Sequence, residues 1–130
     1  MTGVCVAKPV LVDTCVWVEH VHREVDVLRR LCAESRALIH PDVLGEIMLG
    51  CGEERDLLVK RLRLLPGIDR PPQVDIESLV QQHAIACKRV GWVDAVLLCT
   101  AMIDPRRPAV LTFDRRLLRE AIRLGVAFAG

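Results

Sequence analysis

The regular patterning of the chain starts with a continuously apolar run, Pro9-Val10-Leu11-Val12, that stops at Asp13. A run this short, without polar alternation, reads as a strand buried on both faces, as in a parallel sheet. From about Arg23 to Glu34, Val25, Val27, Leu28, Leu31 and Cys32 recur at helical spacing. Ala37-Leu38-Ile39 is the next strand candidate. Pro41 then opens a helix where its missing N–H costs nothing; this helix carries Val43, Leu44, Ile47 and Met48 and stops near Gly50 or Gly52. Glu53 to Leu65 is a charged amphipathic helix closed by Pro66-Gly67, and Ile68 begins a weak extended piece that Pro71-Pro72 ends. Asp75 to Val90 is predicted as one helix, capped at Asp75 and stopped by Gly91. Val93 to Met102 is nearly all apolar and predicts a core helix. Ala109-Val110-Leu111-Thr112 is a third clear strand, followed by a helix from Asp114 to Leu124 and a last short strand, Val126-Ala127-Phe128.

Strands and helices alternate and no two strands form a hairpin. This predicts an α/β fold, a single domain over residues 1–130, with a central parallel sheet of four to five short strands flanked by helices on both faces. No linker, repeat or low-complexity segment interrupts it. Such a fold is compatible with many functions, so the chemistry has to come from particular residues.

Composition narrows the picture in three ways. The chain has 130 residues, 52% of them apolar, but only two Trp, two Phe and no Tyr, so its core is mainly aliphatic. The formal charge of +1 argues neither for nor against a nucleic-acid partner. Arg heavily outnumbers Lys, which occurs only at positions 8, 60 and 88; Arg forks suit phosphate, and a genome rich in Arg codons explains the bias equally well. The six cysteines (positions 5, 15, 32, 51, 87 and 99) form no C-x-x-C pair, which speaks against a zinc ribbon and for free thiols in a reducing compartment. Met1 to Lys8 lacks the pattern of a signal peptide, and Ala95 to Ile103 is far too short to span a bilayer. A cytoplasmic protein without membrane contact is expected.

The candidate chemistry lies in four acids. Asp13 follows the first strand and Asp114 follows the strand ending at Thr112. Ligand sites in open α/β sheets form beyond the carboxyl ends of strands, and two carboxylates there repel unless a cation is shared. Glu46 is embedded in Val43-Leu44-Gly45-Glu46-Ile47-Met48-Leu49, and Asp94 in Trp92-Val93-Asp94-Ala95-Val96-Leu97-Leu98. A buried, unpartnered carboxylate is costly, and a divalent cation would relieve it. Each acid also has a plain structural reading: Asp114 as a helix N-cap, Asp94 as a partner of its helix dipole, Glu46 on a solvent face, Asp13 in a turn. The argument for a site comes from the four together. His20, His22, His40 and His83 are scattered and read as surface or helix-end residues.

Leu11-Val12-Asp13-Thr14-Cys15-Val16-Trp17 resembles the opening motif of PIN-domain nucleases, an apolar strand ending in Asp followed by Ser or Thr. Glu46 with Gly50 is similar to the family's second acidic motif, Gly91-Trp92-Val93-Asp94-Ala95 to its third, and Leu111-Thr112-Phe113-Asp114-Arg115-Arg116-Leu117 to its fourth. The resemblance runs from about Val10 to Phe128, and the length and the Asp-Thr-x-x-Trp opening are most like VapC-type toxins of bacterial toxin–antitoxin pairs. Two departures stand out: Arg116 occupies a position where many relatives carry a further acid, and Cys15 replaces a common small hydroxyl residue.

The resemblance implies hydrolysis of RNA phosphodiesters with Mg²⁺ or Mn²⁺, hard cations that suit a site of carboxylates. Asp13 and Asp94 would be direct ligands, with Glu46 and Asp114 binding directly or through water. Thr14 and Thr112 would orient a carboxylate or a water, or be ordinary strand-end hydroxyls. Arg115 and Arg116 would contact the RNA backbone, or lie on a solvated helix start. The resemblance further implies a homodimer and a small VapB-like antitoxin covering the site. Trp17, Val21, Leu57 and Leu58 are candidates for its groove or for plain core packing. Alternatives are a housekeeping RNA-processing nuclease of the same fold, an inactive PIN-fold interaction module, and a phospho-receiver domain. A receiver carries paired acids after its first strand and a Lys after its last; here a single Asp13 follows the first strand, and the lysines, at positions 8, 60 and 88, are far from the required place.

Overall fold

The computed structural model describes residues 7–50 and 52–130. Its centre is strand β1 (Val10–Val12), paired in parallel with β2 (Ala37–Leu38) on one side and β3 (Ala109–Leu111) on the other. All three β1 residues are buried, which is why the strand carries no polar position. The described residues contain three strands rather than four or five. Val126–Phe128 meets the sheet only through a parallel bridge between Val110 and Ala127, and Gly67 bridges Ile39 in the same way. Both segments run alongside for too short a stretch to build a ladder.

Helices α1 (Thr14–His22) and α2 (Asp26–Ala33) connect β1 to β2. Helices α3 (Pro41–Met48), α4 (Glu53–Leu62), α5 (Gln73–Gln82), a 3-10 turn (Ile85–Cys87) and α6 (Trp92–Ile103) lead back across the sheet to β3, and α7 (Arg115–Arg123) follows. With the order β2-β1-β3, the chain leaves β1 in one direction and leaves β3, through α7 to the bridge at Ala127, in the other. This reversal of direction between β1 and β3 opens a crevice beyond their carboxyl ends, and α1 packs against α3.

Two helix expectations needed correction. The pattern from Arg23 to Glu34 becomes α2 alone, and a separate helix, α1, precedes it. Residues Thr14–His22 are rich in β-branched Val and weak in helix propensity. Their helix is set by the Asp13 cap and by burial of Val16 and Trp17. It ends at Arg23 in extended conformation, where the His20 Nδ1 accepts the Val25 N–H at 2.9 Å. The single helix expected over Asp75 to Val90 stops at Gln82, because Ala84 and Arg89 adopt left-handed backbone (φ 54° and 61°). Helix α6 is apolar all round because Leu97, Leu98 and Ala101 pack into the main core while Ala95, Val96 and Cys99 pack against Ile76 and Ile85.

One polar chain crosses this core. His40 has no exposed surface and caps α3: its Nδ1 accepts the Asp42 N–H at 3.0 Å. Its Nε2 therefore carries the proton and donates to Thr100 Oγ1 at 3.0 Å, and Thr100 passes its own proton to the Val96 carbonyl at 2.7 Å. This ties the start of α3 to the middle of α6. Thr100→Val leaves the buried Nε2–H without a partner and is expected to cost about 1–3 kcal/mol, whereas Thr100→Ser keeps the bond and most of the stability. Urea unfolding at neutral pH measures the difference.

Candidate active site

Asp13 is the first residue beyond β1, and its backbone N–H donates to the Leu111 carbonyl of β3 at 2.9 Å. Its side chain, 5% exposed, accepts three hydrogen bonds. Oδ1 accepts the Thr14 N–H at 2.8 Å, and Oδ2 accepts the Thr112 hydroxyl at 2.7 Å and the Cys15 thiol at 3.3 Å. Thr112 Oγ1 in turn accepts the Asp114 N–H at 3.0 Å. One hydroxyl thus joins the acids that follow the two strands.

Asp114 caps α7: its Oδ1 accepts the N–H groups of Arg116 at 2.8 Å and Leu117 at 3.1 Å. The helix-cap reading is therefore correct, and it does not exclude a second role, since the residue is exposed and Oδ2 has no hydrogen bond among the described residues. Arg115 and Arg116 are exposed at the start of the same helix. Glu46 departs from expectation. Helix α3 buries Val43 and Ile47, leaving Glu46 exposed; burial cost is no argument for a cation there. What links it to the others is Thr14, whose hydroxyl donates to Glu46 Oε1 at 2.6 Å. Both threonines thus hold carboxylates in place.

Asp94, in the first turn of α6, is half-buried. Burial, and then the charges of Asp13, Asp114 and Glu46, push its carboxyl up to about 6, against a lowering by the Gly91 backbone. The helix dipole does not prevail over desolvation and like charge here. This repulsion places the four acids in one electrostatic neighbourhood, and none of the ion pairs among the described residues involves any of them.

The four carboxylates are hard oxygen donors of the kind a divalent cation takes, and His22 lines a groove beside Thr14 and Glu46. No group of three or more His, Cys, Asp or Glu among the described residues is gathered into a ready-made cage. The Cys15 thiol, pushed up by burial, stays protonated and acts as a donor to Asp13. Its place in the first turn of α1 is what brings the thiol to Asp13.

Two adjoining grooves lead away from Glu46. One, of about 270 Å³, is lined by Thr14, Val18, Val21, Glu46, Ile47 and Leu58 among others. The second, of about 430 Å³, includes Trp17, Val21, Leu57 and Leu58, the four apolar residues singled out in the sequence, with Glu54 and Arg61 at its polar edge. Val21, Glu54 and Leu58 line both. No helix among the described residues is long and apolar enough to cross a membrane.

The model of one protein family, described as PIN domain, matches residues 10–122. Two curated proteins are similar: ribonuclease VapC32 from Mycobacterium tuberculosis strain CDC 1551 / Oshkosh and from strain ATCC 25618 / H37Rv. Each is 32% identical over 121 residues, which is 92% of this chain and 96% of the relative. No solved structure matches.

Proposed function

This chain belongs to the PIN-domain family, and from that premise we propose that it is a divalent-cation-dependent endoribonuclease, the toxin of a VapBC-type toxin–antitoxin pair. The observation that supports the reading is the seam beyond the carboxyl ends of β1 and β3, where Thr112 joins the Asp13 carboxylate to the Asp114 backbone, with Asp94 feeling the charge of both acids. Acids kept together without basic partners store a repulsion that a cation removes. The similarity to a ribonuclease supports RNA as the polymer attacked.

Asp13 and Asp94 would hold Mg²⁺ or Mn²⁺, with Glu46 and Asp114 reaching it directly or through water. The bound ion supplies a more acidic water and neutralises charge at the phosphate. Thr112 fixes the Asp13 carboxylate from the β3 side, and Thr14 fixes Glu46 from α1. Asp114 spends one oxygen on its cap and has no hydrogen bond to the other among the described residues, and Arg115 and Arg116, exposed at the start of the same helix, would meet the RNA backbone. Water adds to phosphorus, one P–O bond breaks, and the leaving oxygen takes up a proton.

The adjoining grooves fit an amphipathic segment of a small VapB-like antitoxin, which would run past Glu46 and cover the site. A cytoplasmic homodimer completes the proposal.

EDTA is expected to stop cleavage of a fluorogenic RNA, and excess Mg²⁺ or Mn²⁺ to restore it. Binding to the native acids alone should also raise the melting temperature on titration with Mg²⁺. Undiminished cleavage in EDTA by protein stripped of metal would overturn the cation-dependent reading. A DNA-binding protein encoded by a short neighbouring reading frame, and inhibiting cleavage stoichiometrically, tests the toxin role.

A further inference from the structure

The strands of a parallel sheet begin at one edge, so the residues ahead of them meet there. Each strand of this sheet is preceded by a cation: Lys8 lies two residues before β1, Arg36 immediately before β2 and Arg107 two residues before β3. The three line one cavity of about 330 Å³, which has Phe128 in its wall and no Asp or Glu side chain among its lining residues. Arg36 also lines a neighbouring cavity of about 370 Å³, together with Glu34, Ser35 and Arg106. The two cavities form one trough at the edge opposite Asp13 and Asp114.

Part of this charge is spent within the fold. Arg106 pairs with Asp104 at 3.0 Å and Arg36 with Glu34 at 3.0 Å, while Arg36 Nε donates to the Lys8 carbonyl at 2.9 Å. The side chains of Lys8 and Arg107 take part in none of the ion pairs among the described residues. Arg107 adds a second sign. Its backbone is left-handed, with φ 48°, a conformation that glycine adopts without strain and a long side chain does not. The position nevertheless carries a guanidinium, and that residue lines the cavity with Lys8 and Arg36.

Resting on the ribonuclease reading, we propose that this trough is a second binding site, which holds backbone phosphates of the RNA away from the point of cleavage. The acids at the other edge repel a polyanion, so affinity has to come partly from cations elsewhere on the surface. Arg forks match phosphate, and phosphate contacts position a strand whatever its bases. Two cavities that share Arg36 suit successive phosphates of a polymer better than one small anion. Five residues of extended chain separate Lys8 from Asp13, about 17 Å. Only an RNA long enough to pass from one edge of the sheet to the other engages both sites, so the trough selects for length and leaves sequence unread.

The test measures binding by fluorescence anisotropy with the Asp13→Asn protein in EDTA, which keeps RNA intact. The probes are labelled unstructured RNAs of about sixteen and about four nucleotides, and labelled AMP. In that background Lys8→Gln/Arg107→Gly removes two phosphate contacts. Glycine takes the backbone of position 107 freely, so the variant should stay folded, as thermal melting checks. Lys8→Gln/Arg107→Gln is a second variant with a side chain at both positions, and it should behave alike. Affinity for the longer RNA is expected to fall roughly tenfold at about 0.1 M salt, and the slope of log K against log salt to become shallower by about 1.4. The preference for the longer RNA over the shorter should shrink with it. Lys60→Gln, at an exposed position of α4, removes a charge elsewhere and should leave that preference as it was. Unchanged affinity and slope in both double variants, an equal loss for both RNA lengths, or the same loss per charge in Lys60→Gln overturns the proposal. AMP bound as tightly as the longer RNA, and lost in the double variants, also overturns it and assigns the trough to a small phosphate ligand. If wild-type protein cleaves no RNA at all, the nuclease reading fails instead, and the binding comparison still decides the trough.

Discussion

Asp13→Asn protein is expected to fold normally and to cleave RNA slower by roughly 10²–10³-fold or more. The two halves of this result have separate causes. Asn is as good an N-cap as Asp, so the bond from the Thr14 N–H survives and α1 keeps its start. The amide nitrogen can donate to Thr112 if that hydroxyl rotates, so the seam between β1 and β3 keeps a hydrogen bond. The negative charge, however, is gone, and with it a hard ligand and one of the charges that raise the Asp94 carboxyl. Circular dichroism and thermal melting should therefore overlay the wild type while the nuclease assay falls away. Wild-type cleavage rates with the same metal would refute the assignment of Asp13.

Asp94→Asn should lose activity by a comparable factor and, without metal, gain stability above pH 6. Asp94 titrates near 6 in the folded protein and near 3.8 when unfolded. The folded state then binds more protons between these values, so the group contributes stability that is present below about 3.8 and lost as pH rises through 6. The Asn variant lacks that loss. His40 works in the opposite sense: burial lowers it from 6.5 to about 4. Its contribution is present above 6.5 and lost as pH falls toward 4, on the order of 3 kcal/mol for a fully buried ring. The two trends oppose each other in the wild type. Metal-free Asp94→Asn should accordingly show a steeper loss of stability than wild type on acidification from pH 6.5 to 4. Melting temperatures across that range, measured in EDTA, check it; parallel curves for the two proteins would refute it.

The parts of this fold that were legible in the sequence are those where one local rule dominates. The apolar run before Asp13, the Pro41 helix start and the all-apolar α6 each follow from pattern alone. Helix α1 did not, since its valines favour strand and only the cap at Asp13 and the packing of Val16 and Trp17 override them. The break after Gln82 was equally hidden, because Ala84 and Arg89 are not residues that announce left-handed backbone. Asp13 and Asp114 do follow the strands that the apolar runs predict. Burial was inferred for Glu46 from its apolar neighbours in sequence, but a helix turns adjacent residues to different sides, and Ile47 took the inward position. The role of His40 depends on its partner at position 100, a contact that no local pattern encodes.

The strand order has a further consequence for how this protein comes into being. A nascent chain folds from its N-terminus while synthesis continues. Asp13 appears early, yet its partner Thr112 and the neighbouring Asp114 lie on the far side of the long crossover from β2 to β3. Until β3 slides in beside β1, the acids made so far have neither their full number nor the hydroxyl that aims the first of them. A chain abandoned before β3 would therefore lack the complete set of acids on which the proposed site rests.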